Sequence, residues 1–506
     1  MIRDVAELPN KIAIEADICI IGSGAGGAVM ASELARAGRS VVVLEEGGYF
    51  TKDDFQERDL IKAFREMYHS GGLTSTIGSP PIVLPLGKTV GGTTTVNSGT
   101  MFRTPPKVLK EWEWCYGIQD ASPEHMAPYY DVVEETLDVQ PVREEILGEN
   151  AKKIREGAEI LGLSHAPLRR NANKMCDGCG VCCFGCPTDG KRPMHLTYIP
   201  NALKAGADIF PRCKAKELIV KGRQVLGVRG YFTRPNKGGI KPVIDVRASI
   251  VVLSAGAIFT PAFLLGQKLA NSSGQVGRNL TIHPAARVGA MFDEPIFGWK
   301  GVPQGYYVDE YAGEGIMLEG AHGPPALMGA SIHGVGKLFK ERLSEISNYA
   351  DFGVMVSDSN VGRVRIAPTG DPIMIYNMNK EDTRRMVKGM ALTASIFFAA
   401  GAKSVFSSVW RYPELKSVKE VQQFRETKFK PADMQSAAFH PLGTCRMGED
   451  PSRSVVNSYL KCHDLDNLFI VDGSPFPTSL GVNPQETIMA FAHRTAEHIA
   501  NSVLKK

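Results

Sequence analysis

Five of the ten cysteines fall within residues 176–186, in the stretch CDGCGVCCFGCPTDG. Cys176, Cys179, Cys182 and Cys186 follow the C-x2-C-x2-C-x3-C-P spacing with which ferredoxins hold iron-sulfur clusters; Pro187 closes the run and Cys183 is an extra thiol inside it. Four thiolates also suit zinc, although structural zinc usually takes two C-x2-C pairs separated by a long gap and no second pair occurs outside this run. A disulfide cluster is the third reading. Which one holds depends on whether the rest of the chain handles electrons.

A second group of residues bears on that question. In ADICIIGSGAGGAVMASELARAGRSVVVLEEGG, an apolar strand at residues 18–21 leads into Gly22, Gly24 and Gly27, a helix follows, and a second strand at residues 41–44 ends at Glu45. Gly22 and Gly24 permit a tight turn and close approach of a pyrophosphate, and Gly27 lets the helix pack on the strand. The helix N-terminus then offers free N–H groups to the phosphates. Glu45, about 20 residues on, is spaced to accept hydrogen bonds from a ribose diol. Such a βαβ unit binds a dinucleotide, FAD or NAD.

The elements that carry these residues belong to a long chain. At 506 residues two or three packed units are expected. Hydrophobic content of 43% and charged content of 22% are those of an ordinary globular protein. The net charge of +4 is spread without basic blocks, which argues against nucleic acid as a partner. The start of the chain lacks an export signal, and the most apolar window, from Ala248, is broken by Ser254, Gly256, Thr260 and Pro261 and is no membrane span. The expected location is cytoplasmic, with export or membrane association only through a partner subunit. Residues 216–232 read as a hairpin turning at Lys221-Gly222-Arg223. No internal repeat or low-complexity linker is visible.

LGKTVGGTTTVNSGT (86–100), VVLSAGAIFTPAFLL (251–265), VGRNLTIHP (276–284), FHPLGTCRMG (439–448) and the stretch from Asn467 to Ile499 resemble, in order and spacing, the glucose-methanol-choline (GMC) oxidoreductases. The resemblance implies an α/β fold in which an FAD-binding Rossmann-like domain is interleaved with an antiparallel-sheet substrate domain. The FAD-binding segments would be 1–110, 200–285 and 436–506, the last carrying the catalytic residues; 111–199 would be a cap region with the cysteine segment at 176–187, and 286–435 the substrate domain. It also implies non-covalent FAD held by Gly22, Gly24, Gly27, Glu45, Gly91, Gly92, Asn97, Ala255, Asp472, Gly473 and Pro484, since no histidine lies between His69 and His125 to tether it. Asn97, with Thr94, Thr95 and Ser98, would lie beneath the flavin ring.

By the same resemblance His440 and Asn483 form the catalytic pair. A histidine titrating near neutrality suits removal of the hydroxyl proton while the flavin takes the hydride, and Asn483 orients the oxygen. Asn483-Pro484-Gln485-Glu486 is also a capping sequence, with Asn at the N-cap and Pro at the first helical position, before a helix with an apolar face at Ile488, Ala492, Thr495, Ile499 and Val503. Trp112, Trp114 and Cys445 read as core residues, and His195, His322 and His333 show no partner pattern.

One sugar-dehydrogenase branch of the family carries an iron-sulfur cluster in a comparable segment. The expectation is therefore an FAD-dependent alcohol dehydrogenase with a 4Fe-4S or 3Fe-4S cluster on thiols drawn from Cys176, Cys179, Cys182, Cys183 and Cys186, passing electrons to a cytochrome, quinone or small redox subunit. The alternatives are an oxygen-using long-chain alcohol or sterol oxidase, a sugar dehydrogenase subunit, and a non-enzymatic FAD-binding electron-transfer subunit. Apolar patches at 314–320 and 322–334 favour an apolar or bulky alcohol.

Overall fold

A computed structural model describes residues 1–57, 59–329, 332 and 334–503. Strand β1 (Lys11–Ile21), helix α1 (Ala25–Arg36) and strand β2 (Val41–Leu44) build the N-terminal βαβ unit. β1 begins well before the apolar run expected at 18–21. Its first residues alternate in exposure, a pattern that a strand sustains beyond the core, and only its end is buried.

Strands β3 (Asp208–Phe210), β4 (Cys213–Lys221), β5 (Gln224–Phe232) and β6 (Val243–Leu253) complete the first sheet in the order β3-β2-β1-β6-β5-β4. β3, β2, β1 and β6 run parallel, and β6 also pairs in parallel with the short strand Leu468–Ile470. β4 and β5 form the expected hairpin, with Lys221 opposite Gln224 and Gly222 turning at φ +60°. The apolar window from Ala248 becomes the buried end of β6 and then helix α2 (Gly256–Gln267).

The second sheet is built on β7 (Ala285–Met291), β8 (Tyr306–Val308), β9 (Ile316–Glu319) and β10 (Tyr349–Val356), in the order β7-β10-β9-β8 with antiparallel pairing. Segments distant in sequence extend it: Ile82–Val83 and Ser436–Ala437 beyond β7, and His165–Pro167 beyond β8. The chain is thus an α/β protein whose Rossmann-like unit and antiparallel sheet are threaded through one another. All eight residues of β10 are buried. Ala350, Phe352, Val354 and Val356 share a core with Met386 and Met390 of helix α3 (Lys380–Ala399), while Tyr349, Gly353 and Met355 line a cavity.

The last helix, α4 (Gln485–His498), packs beside α1 and is buried on nearly every face, not along the single stripe expected from sequence. No helix among the described residues is long and apolar enough to cross a membrane.

Candidate active site

A cavity of about 1240 Å³ runs between the two sheets. Gly22, Gly24, Glu45, Gly92, Asn97, Ala255, Asp472, Gly473, Pro484, His440 and Asn483 all line it; Gly27 and Gly91 do not. The glycine loop explains the division. A Cβ on Gly27 would sit 2.0 Å from the Gly22 carbonyl oxygen, so Gly27 is a packing position; Gly26 borders the cavity but is also closely packed, since a Cβ there would sit 1.9 Å from the Val471 carbonyl oxygen. A Cβ on Gly24 would meet only the Gly92 Cα at 3.9 Å. Here the backbone is bare where a phosphate must approach, as a dinucleotide cradle requires.

Glu45, at the end of β2, accepts from Ser23 N (2.9 Å), Ser23 Oγ (2.7 Å) and Gly47 N (2.7 Å), and burial pushes its carboxyl pKa up. Ser23 Oγ in turn accepts from Gly91 N at 3.0 Å, so Gly91 acts from behind the cavity wall. Asp472 accepts from Gly256 N and Thr260 Oγ1 on one oxygen and from Ser474 N and Oγ on the other, which fixes the start of α2. Asn97 donates to Gln485 Oε1 (2.8 Å) and accepts from Gly99 N (3.1 Å). These contacts hold the loop after Gly92 against the start of α4. His69 also lines the cavity, stacked on Phe259 at 4.1 Å; the charges acting on it are Glu46, Lys88 and Lys214, those of the Glu45 end.

At the other end three polar side chains converge. Asn483 Nδ2 lies 3.2 Å from His440 Nε2 and 3.3 Å from Glu319 Oε1. Donation by this amide to both assigns the accepting lone pair of His440 to Nε2 and its proton to Nδ1. His440 Nδ1, Asn483 Oδ1 and Glu319 Oε2 are buried without a partner among the described residues. Such atoms are costly unless a ligand answers them. Burial alone lowers His440 to about 4, not the near-neutral value expected, so its imidazole is uncharged at physiological pH. Burial, opposed by the Asn483 hydrogen bond, raises Glu319 to about 7.

Asn483 is not a helix cap. α4 starts at Gln485 after Pro484, with no side-chain cap, and the Asn483 amide is committed to the cavity. Behind it, His283 Nε2 accepts from Leu480 N and Gly481 N, and Asp358 accepts from Ile282 N, His283 N and Ser479 Oγ. These bonds brace the segment that presents Asn483.

The cysteines divide between two cavities. Cys176, Cys179, Cys182 and Cys186 line a small cavity of their own with Gly178, Gly185 and Lys191, whereas Cys183 lines the large one, 4.0 Å from Ser98 Oγ. All ten cysteines are free thiols, so the five are not a disulfide cluster. No group of three or more His, Cys, Asp or Glu among the described residues is spaced to hold a metal ion, which removes the support for a single zinc.

Glu319 and His283 were not singled out in sequence. Glu319 ends the apolar run IMLE on β9, and what marks it is the burial of the whole strand, which the sequence does not show. His322 and His195 do have partners: His322 Nδ1 contacts Asp351 Oδ1 at 2.5 Å, and His195 Nδ1 contacts Thr95 Oγ1 at 3.2 Å. His333 lies outside the described residues. Trp112 is in the core and Cys445 is buried, but Trp114 is 90% exposed.

This fold and cavity define a Rossmann-like dinucleotide-binding protein, and comparison with known proteins gives its family. Residues 64–285 and 357–492 match the N- and C-terminal GMC oxidoreductase models, and residues 20–51 match an NAD(P)-binding Rossmann-like domain. The chain belongs to the GMC oxidoreductase family, enzymes of the FAD type. It is 35% identical to an uncharacterized GMC-type oxidoreductase of Mycobacterium tuberculosis, across 97% of this chain and 76% of the relative. It is 30% identical to a long-chain-alcohol oxidase of Arabidopsis thaliana, across 97% and 69%. Among solved structures, pyridoxine 4-oxidase superposes with a TM-score of 0.71 at 18% identity over 95% of this chain and 98% of that one. A formate oxidase of Aspergillus oryzae gives 0.72 at 17% over 96% and 98%.

Proposed function

We propose that the protein oxidises the CH–OH group of an apolar or bulky alcohol and passes the electrons through a cysteine-bound iron-sulfur cluster to an external one-electron acceptor. The observation that carries the oxidation is the convergence of His440 Nε2, Asn483 and Glu319 on the cavity that also holds the glycine cradle. Bound there without a covalent tether, FAD supplies a hydride acceptor. Gly22, Gly24, Gly92, Asn97, Ala255, Asp472, Gly473 and Pro484 would hold it; Gly27 and Gly91 shape the cradle from behind, and Glu45 would bind the ribose. The alcohol O–H would take the place of the Asn483 Nδ2–H at His440 Nε2, and His440, neutral at physiological pH, would receive the hydroxyl proton there. Asn483 hydrogen-bonds the alcohol oxygen, and Glu319 holds the Asn483 amide in place.

In this reading the domain segments expected from sequence stand as proposed, with Ile82–Val83, His165–Pro167 and Ser436–Ala437 lending strands to the second sheet, and Cys176, Cys179, Cys182 and Cys186 are the cluster ligands. Support for that set is their shared cavity and the donors aimed at its sulfurs, Lys191 N to Cys186 Sγ at 3.3 Å and Arg170 Nη2 to Cys182 Sγ at 3.2 Å. A cluster spreads its thiolates over several irons, so it does not need three of them on one ion. Cys183 stays outside the set. Long-chain alcohols are the favoured class because a relative 30% identical along 97% of the chain is a long-chain-alcohol oxidase. That name also supports a second reading, an oxidase that returns electrons directly to oxygen.

Replacing Cys179 by Ser separates the two readings. In the favoured one iron and broad visible absorbance are lost, alcohol still bleaches the flavin, and reduction of a one-electron protein acceptor slows at least tenfold. Cys183→Ser keeps its iron. A Cys179→Ser protein that feeds the acceptor as fast as the wild type excludes the relay.

A further inference from the structure

Two cations are buried beside the cysteine cavity without a carboxylate partner among the described residues. Arg170 and Lys191 are each 1% exposed. Lys191 Nζ donates to the carbonyl oxygens of Thr95 (2.8 Å), Asn97 (2.7 Å) and Cys182 (3.1 Å). Three acceptors use all three N–H bonds of an ammonium, so this geometry is built for the charged form. Arg170 donates from Nε (2.9 Å) and Nη2 (2.6 Å) to the Ser98 carbonyl and from Nη2 to Cys182 Sγ (3.2 Å), and its Nη1 is buried with no partner among the described residues. The acidic groups acting on Arg170 are the thiols of Cys182 and Cys176, and those acting on Lys191 are the thiols of Cys182, Cys186 and Cys183.

A charge taken out of water must be answered by an opposite one. Carbonyl oxygens satisfy the hydrogen bonds of Lys191 but not its charge, and among the described residues the acidic groups that act most strongly on both cations are the cysteine sulfurs. A cluster on four thiolates carries net negative charge, and each electron it accepts adds one more without making or breaking a bond. Thr95, Asn97 and Ser98 belong to the loop that follows Gly92, on the wall of the large cavity. The same two side chains therefore join the two cavities.

We propose that Arg170 and Lys191 are the built-in counter-charge of an anionic, thiolate-ligated cluster, stabilising its reduced form and tying it to the loop of the flavin cavity. This rests on the cluster reading given above. Electrons come in from alcohol oxidation and leave singly to the external acceptor, so the cations alter only the balance between oxidised and reduced cluster.

The test uses the FAD-loaded protein purified without oxygen, with iron and acid-labile sulfide assayed and the cluster titrated with dithionite through mediator dyes under EPR. Arg170→Gln is expected to shift the reduced-to-oxidised ratio at fixed potential at least tenfold toward oxidised, about 59 mV for one electron. Arg170→Lys is expected to shift it less. An Arg170→Gln protein that keeps FAD but loses iron, with iron retained in Arg170→Lys, gives the same support. An iron-bearing Arg170→Gln protein that titrates like the wild type overturns the proposal, as does an Arg170→Lys protein no closer to wild type than Arg170→Gln. If Arg170→Gln does not fold, Lys191→Met is read in the same way, and a curve superimposable on wild type overturns the proposal. Wild-type protein without iron or sulfide removes the cluster reading and this one together, which distinguishes that failure from an unshifted potential.

Discussion

Glu319 shows how burial converts an ordinary carboxyl into a group that responds near neutrality. It is 6% exposed, one oxygen accepts from Asn483, and its pKa rises from 4.5 to about 7. The folded protein therefore keeps a proton that the unfolded chain releases, and stability falls as pH rises from about 4.5 to about 7. Glu319→Gln mimics the protonated form and removes that slope. Thermal melts of the flavin-free variant should match wild type near pH 4 and exceed it at pH 8, with a ceiling of about 3 kcal/mol at 1.36 kcal/mol per pKa unit. Equal melting at pH 8 would mean that Glu319 ionises freely in the fold. His440 moves the opposite way for the same reason, since burial disfavours the charged form of either group.

At the scale of elements, the glycine loop separates packing from binding. Gly26→Ala drives a Cβ to 1.9 Å from a backbone oxygen of the C-terminal segment, and overpacking of this kind costs about 1–3 kcal/mol. The flavin-free variant should melt below wild type. Gly24→Ala meets nothing closer than 3.9 Å, so its flavin-free form should melt like wild type while its FAD content drops. Equal losses of stability in both variants would contradict this division. The β1-loop-β2 unit was legible in sequence because its demands are local: a turn at Gly22, a bare backbone at Gly24, a strand ending at Glu45. The hairpin at Gly222 was legible for the same reason. The capping reading of Asn483 failed because Asn483-Pro484-Gln485-Glu486 favours capping only locally, while tertiary partners 43 and 164 residues away take the amide. Glu319, His283, Arg170 and Lys191 were invisible because burial, not spacing, makes them significant.

At the scale of the molecule, the interleaving of the two sheets is what brings the cofactor cradle and the polar cluster to one cavity. The cradle comes from residues 22–45, the lower loop from 91–98, Glu319 from the antiparallel sheet, and His440 and Asn483 from the C-terminal segment. Helix α4 connects them, with Gln485 bonded to Asn97 and Thr100 just beyond Asn483. The small cysteine cavity joins this assembly through Arg170 and Lys191.

The central claim is that this cavity oxidises an alcohol with His440 as proton acceptor. The direct measurement is anaerobic stopped-flow mixing of the FAD-loaded protein with primary alcohols from butanol to hexadecanol, following flavin absorbance. Bleaching is expected to speed up with chain length and to slow by about 100-fold or more in His440→Ala at undiminished FAD content, the usual scale for a lost general base. Flavin that stays oxidised across the whole series, or bleaches as fast in His440→Ala as in wild type, would contradict the claim.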